Sequence, residues 1–257
     1  MDVLICMGDT VRILTAIMLL SIGAGCTPFY ASLFSDNSGE SETNALLLTV
    51  LTSDRSSGNS DPSIQLRLFL TARQPDGDLQ SSSEPACALI TDSAQRADCY
   101  CSNDPMNPDP LATFKAMIVG GNRIATTGTC SKSSCPGQQD WVLHPLALYR
   151  SLSGERIFLT DATSLFDPGN GILNPLTFQG NGGASTEFWS GLSTNWSNAG
   201  NNCNGWTDGT PSGRGTVGRS TFADERFLSF DSNVACENVH GPGGSKVSRL
   251  LCVEQAL

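Results

Sequence analysis

The chain has 257 residues, which is enough for one large domain or two small domains with a buried core. Only 16% of the residues are charged, while 26 Gly and 13 Pro indicate many turns, as in loop-rich extracellular folds. The formal net charge of −10 argues against nucleic acid and anionic lipid surfaces as partners, because both carry negative charge.

The first 25 residues have the organisation of an export signal. Residues 13–22 read ILTAIMLLSI, an apolar run of signal-peptide length that is too short to span a membrane. The small residues 23–25 directly precede Cys26 and resemble the bacterial lipobox, in which the cysteine is acylated and becomes the mature N-terminus. We therefore expect residues 1–25 to be a lipoprotein signal peptide and Cys26 to be the lipidation site. The alternative is an ordinary signal peptide, with Cys26 as a disulfide partner.

The ten cysteines indicate disulfides and an oxidising compartment rather than a zinc site. The chain has only two histidines, His144 and His240, and no pair of CxxC motifs accompanies them. If Cys26 carries lipid, the cysteines downstream of it are even in number and can pair completely; they lie at positions 87, 99, 101, 130, 135, 203, 236 and 252. Cys130 and Cys135 enclose a short Ser/Lys turn and could close a local loop, whereas the sequence leaves the other pairings open.

The segment after Cys26 predicts a tether followed by the first strands. Residues 26–44 are mostly Ser, Asn and acidic, with too few apolar groups to offset the entropy of an ordered chain. The apolar run at residues 45–51, ALLLTVL, predicts a buried strand, and the alternating pattern of residues 63–70 predicts a second. We therefore expect a flexible tether over residues 26–44 and a domain over residues 45–257.

The rest of the chain gives weaker signals. Residues 112–119 are compatible with a helix or a strand, and Pro145 argues against a long helix over residues 141–150. Gly, Asn, Ser, Thr and Pro dominate residues 167–218, which predicts long loops held in place by aromatic side chains. Residues 248–254 predict a closing strand.

Several motifs, in order and spacing, resemble those of one family over about residues 66–257. They are Ala97-Asp98-x-x-Cys101, Thr113-Phe114-Lys115, Asp140-Trp141-Val142-Leu143, Phe188-Trp189-Ser190-Gly191-Leu192, Cys203-x-x-Trp206, Val234-Ala235-Cys236 and Leu251-Cys252-Val253-Glu254. The family is that of endostatin-like domains, a variant of the C-type lectin fold. Together with the lipobox, the chain is similar to the leptospiral endostatin-like outer-surface lipoproteins.

The resemblance implies a fold, a disulfide pattern and a function. The implied fold class is α+β, a disulfide-rich C-type-lectin-like (endostatin-like) domain with long loops. The implied disulfides are Cys203–Cys236, Cys101–Cys252, Cys130–Cys135 and Cys87–Cys99. The implied function is that of an adhesin, lipid-anchored in the outer membrane at the cell surface. Its implied partners are host extracellular-matrix proteins such as laminin and fibronectin, complement regulators such as factor H, and plasminogen.

Basic residues concentrate in the C-terminal stretch of this otherwise acidic chain. Candidate binding residues are Arg214, Arg219, Arg226, Lys246 and Arg249, together with Trp206 as an apolar anchor. Arg and Trp are common in interface hot spots, so this region is expected to meet acidic patches on partner proteins and to bind less tightly as salt rises. The alternative is that these charges are scattered and that Trp206 belongs to the core.

A calcium-dependent carbohydrate-binding lectin is one alternative function. Gln74-Pro75-Asp76 has the letters of a sugar-specifying lectin tripeptide, but it lies near the start of the domain, where a turn is the simpler interpretation. Asp208, next to Gly209, is also interpreted as a turn residue. A structural envelope lipoprotein without a host ligand is the third possibility.

Enzymatic function has little support in the sequence. The chain contains no GxSxG elbow and no Gly-rich phosphate loop with a suitably placed Lys. His144 precedes Pro145 in an apolar segment and is interpreted as structural, and the zinc site of eukaryotic endostatin needs His residues that this domain lacks near its start. We therefore expect no catalytic residues, no metal and no cofactor.

Overall fold

The computed structural model describes residues 61–81, 84–131, 133–178, 186–237 and 248–256. Residues Ser60–Leu257 form one compact unit. Cys26, the expected tether and the strand predicted at residues 45–51 lie outside the described residues. Within the described residues, no helix is long and apolar enough to cross a membrane.

The described part of the chain has a mixed α/β fold with few helices, many strands and four disulfides. Its strands and its main helix are, in chain order, β1 (Ile64–Leu70), α1 (Ser93–Ser102), β2 (Phe114–Ala116), β3 (Ala147–Arg150), β4 (Arg156–Leu159), β5 (Glu187–Trp189), β6 (Arg214–Arg219), β7 (Asp231–Ala235) and β8 (Leu251–Glu254). The strands predicted at residues 63–70 and 248–254 are confirmed by β1 and β8. The ambiguous segment 112–119 contains strand β2.

A five-stranded sheet, in the order β2-β8-β1-β3-β4, has β1 at its centre. The first half of β1 pairs in parallel with β3, and its second half pairs antiparallel with β8. Alternate side chains of β1 face opposite sides of the sheet, so that Leu66 and Leu68 contribute to one apolar core, the first core, and Phe69 to another, the second core. The polar-apolar alternation visible in the sequence is therefore only partial, because both faces of this strand are covered.

A second, three-stranded antiparallel sheet has the order β5-β6-β7. Strand β5 and most of β6 lie within residues 167–218, where the sequence predicts only long loops, and that prediction is wrong for these residues. The glycines of β6 explain the error, because a Cβ atom at Gly215 would lie 2.6 Å from Cζ3 of Trp189. The strand therefore needs glycine where close packing leaves no room, and glycine hides its strand pattern.

Four disulfides connect the elements of the described chain. Cys101–Cys252 joins α1 to β8, Cys87–Cys99 joins the turn before α1 to the helix itself, Cys203–Cys236 joins the loop before β6 to the end of β7, and Cys130–Cys135 closes a hairpin. The resemblance to endostatin-like domains implies the same four pairs. Each of the bridges that involve α1 or the second sheet contains at least one fully buried cysteine.

Residues 203–206 form a tight left-handed turn in the second core. Cys203, Asn204, Gly205 and Trp206 all have positive φ, between 50° and 68°. Left-handed backbone is unfavourable for residues with a Cβ atom, so this turn needs strong local support. The support comes from the Cys203–Cys236 bridge, from the Asn202 side chain, which accepts a hydrogen bond from the Gly205 N–H at 2.9 Å, and from the buried Trp206 ring.

Candidate interaction surface

Two arginines and two phenylalanines from the end of β6 and the segment that connects it to β7 stack on one another. Arg219 ends β6, Phe222 and Arg226 lie in the connecting segment, and Phe230 directly precedes β7. The two rings are nearly parallel, at 22°, with their centroids 5.6 Å apart. The guanidinium carbon of Arg226 lies 3.7 Å from the Phe222 centroid, and that of Arg219 lies 3.7 Å from the Phe230 centroid. We call these four residues the Arg–Phe stack.

The sequence of the connecting segment explains why the stack forms. Asp224 begins a 3-10 turn over Glu225–Phe227 and accepts a hydrogen bond from the Arg226 N–H at 3.0 Å. This turn buries Phe227 in the first core and leaves the side chains of Phe222 and Phe230 half-buried above it. The rings of Phe222 and Phe230 therefore stack on each other and keep part of their surface accessible to solvent.

Each arginine of the stack is also held by a carboxylate. Arg219 pairs with Glu187 of β5, and the Nε of Arg226 donates to Asp224 Oδ1 at 2.9 Å. The Asp224 hydrogen bond raises the pKa of Arg226, and the Arg226 guanidinium lowers the pKa of Asp224. Both arginine side chains remain accessible, at 33% and 48% exposure respectively.

The paired arginines still have hydrogen-bond donors available. Within the described residues, Nη1 of Arg226 and both Nε and Nη1 of Arg219 make no hydrogen bond. A partner carboxylate or carbonyl can therefore bind these atoms without breaking the existing ion pairs. The site offers oriented donors and apolar ring edges, but little net positive charge.

Two of the predicted binding residues are buried, and their assignment to an exposed patch is wrong. Trp206 is fully buried, its Nε1 donates to the Val119 carbonyl at 2.7 Å, and its ring packs against Trp189. Arg249 is 3% exposed and donates to the carbonyls of Thr71 and Ala72. Burial lowers the pKa of Arg249, and its guanidinium lies 3.7 Å from the centroid of the Phe178 ring. Close packing, which Gly120 and Gly191 permit at Trp206, therefore hides the Trp206 ring, and the Phe178 ring packs against Arg249.

The remaining predicted residues are separated from one another. Arg214 is exposed, but it lies at the opposite end of β6 from Arg219 and donates to the carbonyls of Pro211 and Gly213. Lys246 lies outside the described residues. Arg219 and Arg226 are the two predicted residues that the structure brings together.

The acidic residues considered for calcium do not form a metal site. Asp76 is half-buried, and burial raises its pKa, while a hydrogen bond from Thr210 lowers the pKa of Asp208. In the part of the chain that the structure describes, no three His, Cys, Asp or Glu side chains are grouped so that they could hold a metal ion. His144 is half-buried, and its Nδ1 lies 2.8 Å from the Pro145 carbonyl oxygen, in an arrangement that needs no metal.

Phe222 and Phe230 were not among the predicted binding residues, and their spacing in the sequence is only an indirect signal. Arg219, Phe222, Arg226 and Phe230 follow one another at intervals of three, four and four residues. In an α-helix this spacing would place the side chains on one face, but here a strand end and a 3-10 turn bring them together, so the spacing alone does not predict the stack. The preference of hot spots for Trp and Arg favours Trp206 as the aromatic anchor and gives no reason to choose Phe222 or Phe230.

A protein-family model described as "Protein of unknown function (DUF1554)" matches residues 90–223, more than half of the chain, and the chain belongs to this family. The match begins just before α1 and ends just after Phe222, so it includes half of the Arg–Phe stack. No curated protein matches the chain.

Proposed function

We propose that this member of the DUF1554 family is an exported, lipid-anchored binding module of endostatin-like, C-type-lectin-like fold that attaches to host extracellular-matrix proteins. Two features support the fold: the order of α1, with Cys101, before β2, and the disulfide pairs, both of which agree with the resemblance. Laminin and fibronectin are the first partners to test; complement factor H and plasminogen follow from the same resemblance.

The proposed binding role is based on the Arg–Phe stack. Arginine and aromatic residues dominate interface hot spots, where few residues supply most of the binding energy. Side chains that are already ordered by stacking and ion pairing lose less conformational entropy when a partner binds. The stack therefore has both the composition and the rigidity of a protein-binding site.

The ion pairs of the stack change the expected dependence on salt. A basic patch would attract an acidic partner over a distance and lose affinity steeply as salt screens its charge. Here Glu187 and Asp224 offset the charge of Arg219 and Arg226, so contact hydrogen bonds and ring burial supply most of the affinity. We therefore propose binding that weakens only moderately with increasing ionic strength.

Replacing Arg226 by serine should weaken binding to immobilised laminin or fibronectin by at least about tenfold, because a hot-spot arginine and its ring contact are lost. Surface plasmon resonance with the full-length protein measures the effect. Arg214→Ser is the matched control, since Arg214 is an exposed arginine at the far end of β6, outside the stack, and this variant should bind like the wild type. Urea unfolding should show that both variants keep their stability.

Equal binding by Arg226→Ser and the wild type would refute the stack as the binding site. Failure of the wild-type protein to bind laminin, fibronectin, factor H and plasminogen would refute the proposed host-adhesion function itself. Calcium-dependent binding to a glycan array would instead establish the lectin alternative.

The lipid anchor is proposed from Cys26 and the small residues before it. Cys26→Ala should leave the protein soluble or unprocessed, because the sulfur atom that bonds to the lipid is lost, whereas the wild type should partition into detergent. Phase separation of cell extracts, followed by mass spectrometry of the N-terminal peptide, measures both properties. An unmodified Cys26 thiol in the wild-type envelope fraction would contradict the anchor.

A further inference from the structure

The Cys130–Cys135 bridge differs from the other three in its exposure. Both Cys130 and Cys135 are partly exposed, and the hairpin around them is exposed at Thr129, Ser131 and Ser134. Each of the other bridges includes at least one cysteine that is fully buried. A thiol from solvent can therefore approach this bridge in the folded protein more readily than it can approach the others.

The bridge also closes the shortest loop of the four. Its cysteines are 5 residues apart in sequence, against 12, 33 and 151 for the others. In the chain-entropy model the stabilisation from a disulfide grows with the length of the loop that it closes. Opening Cys130–Cys135 therefore costs the fold less than opening any other bridge.

Backbone hydrogen bonds hold the base of the hairpin independently of the bridge. Ile124 and Gln139 exchange two backbone hydrogen bonds, each of 3.0 Å. The N–H of Thr127 donates to the Pro136 carbonyl at 2.9 Å, and the Thr126 hydroxyl donates to the same oxygen at 3.0 Å. Ser131 and Ser134 exchange two further backbone hydrogen bonds, of 2.8 and 3.1 Å. Reduction of the bridge should therefore leave the base of the hairpin in place.

We propose that Cys130–Cys135 is a thiol–disulfide exchange site that reacts while the domain stays folded. A thiolate attacks one cysteine sulfur and bonds to it as the Cys130–Cys135 bond breaks, and the other cysteine leaves as a thiolate that takes a proton from water. A second thiol can then release the first as a disulfide, so that two electrons pass from two thiols to the protein. The reacting partner is a small thiol or a cysteine on another protein.

Graded reduction of the full-length protein tests this proposal. The protein is equilibrated with increasing glutathione, free thiols are trapped with iodoacetamide, and peptide mass spectrometry identifies the labelled cysteines. Cys130 and Cys135 should react at a thiol concentration at least about tenfold lower than the cysteines of the other three bridges, with the circular dichroism spectrum unchanged. A mixed disulfide with glutathione should appear at one of these two positions.

Two further arms distinguish the source of the thiol and control for unfolding. In the first arm, a folded protein with one surface cysteine replaces glutathione. A mixed disulfide between the two proteins would show exchange with macromolecules. If no such disulfide forms, the site exchanges with small thiols only. Cys130→Ser/Cys135→Ser forms the second arm and should remain folded without giving either adduct. Reduction of all four bridges at the same thiol concentration, or unfolding of the double variant, would overturn the proposal.

Discussion

Replacing both Cys101 and Cys252 by alanine should lower the free energy of unfolding by about 5 kcal/mol, the largest effect among the four disulfides. The bridge joins residues that are 151 apart in sequence, so its loss greatly increases the conformational freedom of the unfolded chain. It also joins α1 to β8, and both cysteines are fully buried. Urea unfolding followed by circular dichroism measures the change.

The matched control is Cys130→Ala/Cys135→Ala, which removes a bridge between residues only 5 apart. The same model gives a loss of about 2 kcal/mol for this pair. The first double variant should therefore be less stable than the second by about 3 kcal/mol. Equal destabilisation by the two would show that loop closure does not set their contributions.

The central strands of the fold could be predicted because their residues fit a sheet locally. Residues 63–70 and 248–254 contain runs of branched and apolar side chains, and they form β1 and β8. Strand β6 could not be found in this way, since Gly215 and Gly218 serve its packing against other segments and weaken its pattern. The information that defines β6 lies in residues distant in sequence.

The candidate site shows the same limit for charged residues. Arg219, Arg226 and Arg249 have the same chemistry in the sequence, yet the first two are accessible and Arg249 is buried beneath Phe178. Exposure depends on which loops pack over each side chain, and composition does not specify this. Tryptophan is similarly ambiguous, because Trp206 fits a binding anchor in the sequence but occupies the second core.

Arg123 carries no sequence motif that marks it, yet its side chain connects three parts of the fold. Its side chain is fully buried and donates to both carboxylate oxygens of Asp98 in α1, at 2.8 and 2.7 Å. It also donates to the Ala116 carbonyl of β2 at 2.9 Å and to Asp140 Oδ2 at 2.7 Å. Burial alone would raise the pKa of Asp140, but hydrogen bonds from Lys115 and Arg123 outweigh it and lower that pKa.

Replacing Arg123 by methionine should therefore lower the free energy of unfolding by about 3–5 kcal/mol at neutral pH, because the largely buried Asp98 carboxylate loses its partner. Methionine keeps much of the side-chain volume, so the loss of charge is the main change. Arg226→Met is the control: that arginine pairs with Asp224 at the surface, where water solvates the carboxylate, and stability should change far less. Urea unfolding measures both.

The effect of Arg123→Met should also depend on pH in a defined direction. Burial raises the pKa of Asp98 even in the wild type, and without Arg123 this pKa should rise further. The folded variant then binds a proton that the unfolded chain releases above about pH 4, so its stability falls as pH rises through this range. The difference from the wild type should be full at neutral pH and shrink as the pH falls toward about 4, because Asp98 becomes protonated in both folded proteins over that range. A difference that stays constant from pH 7 to pH 3 would show that Arg123 stabilises the fold by packing, and that its ion pair with Asp98 contributes nothing.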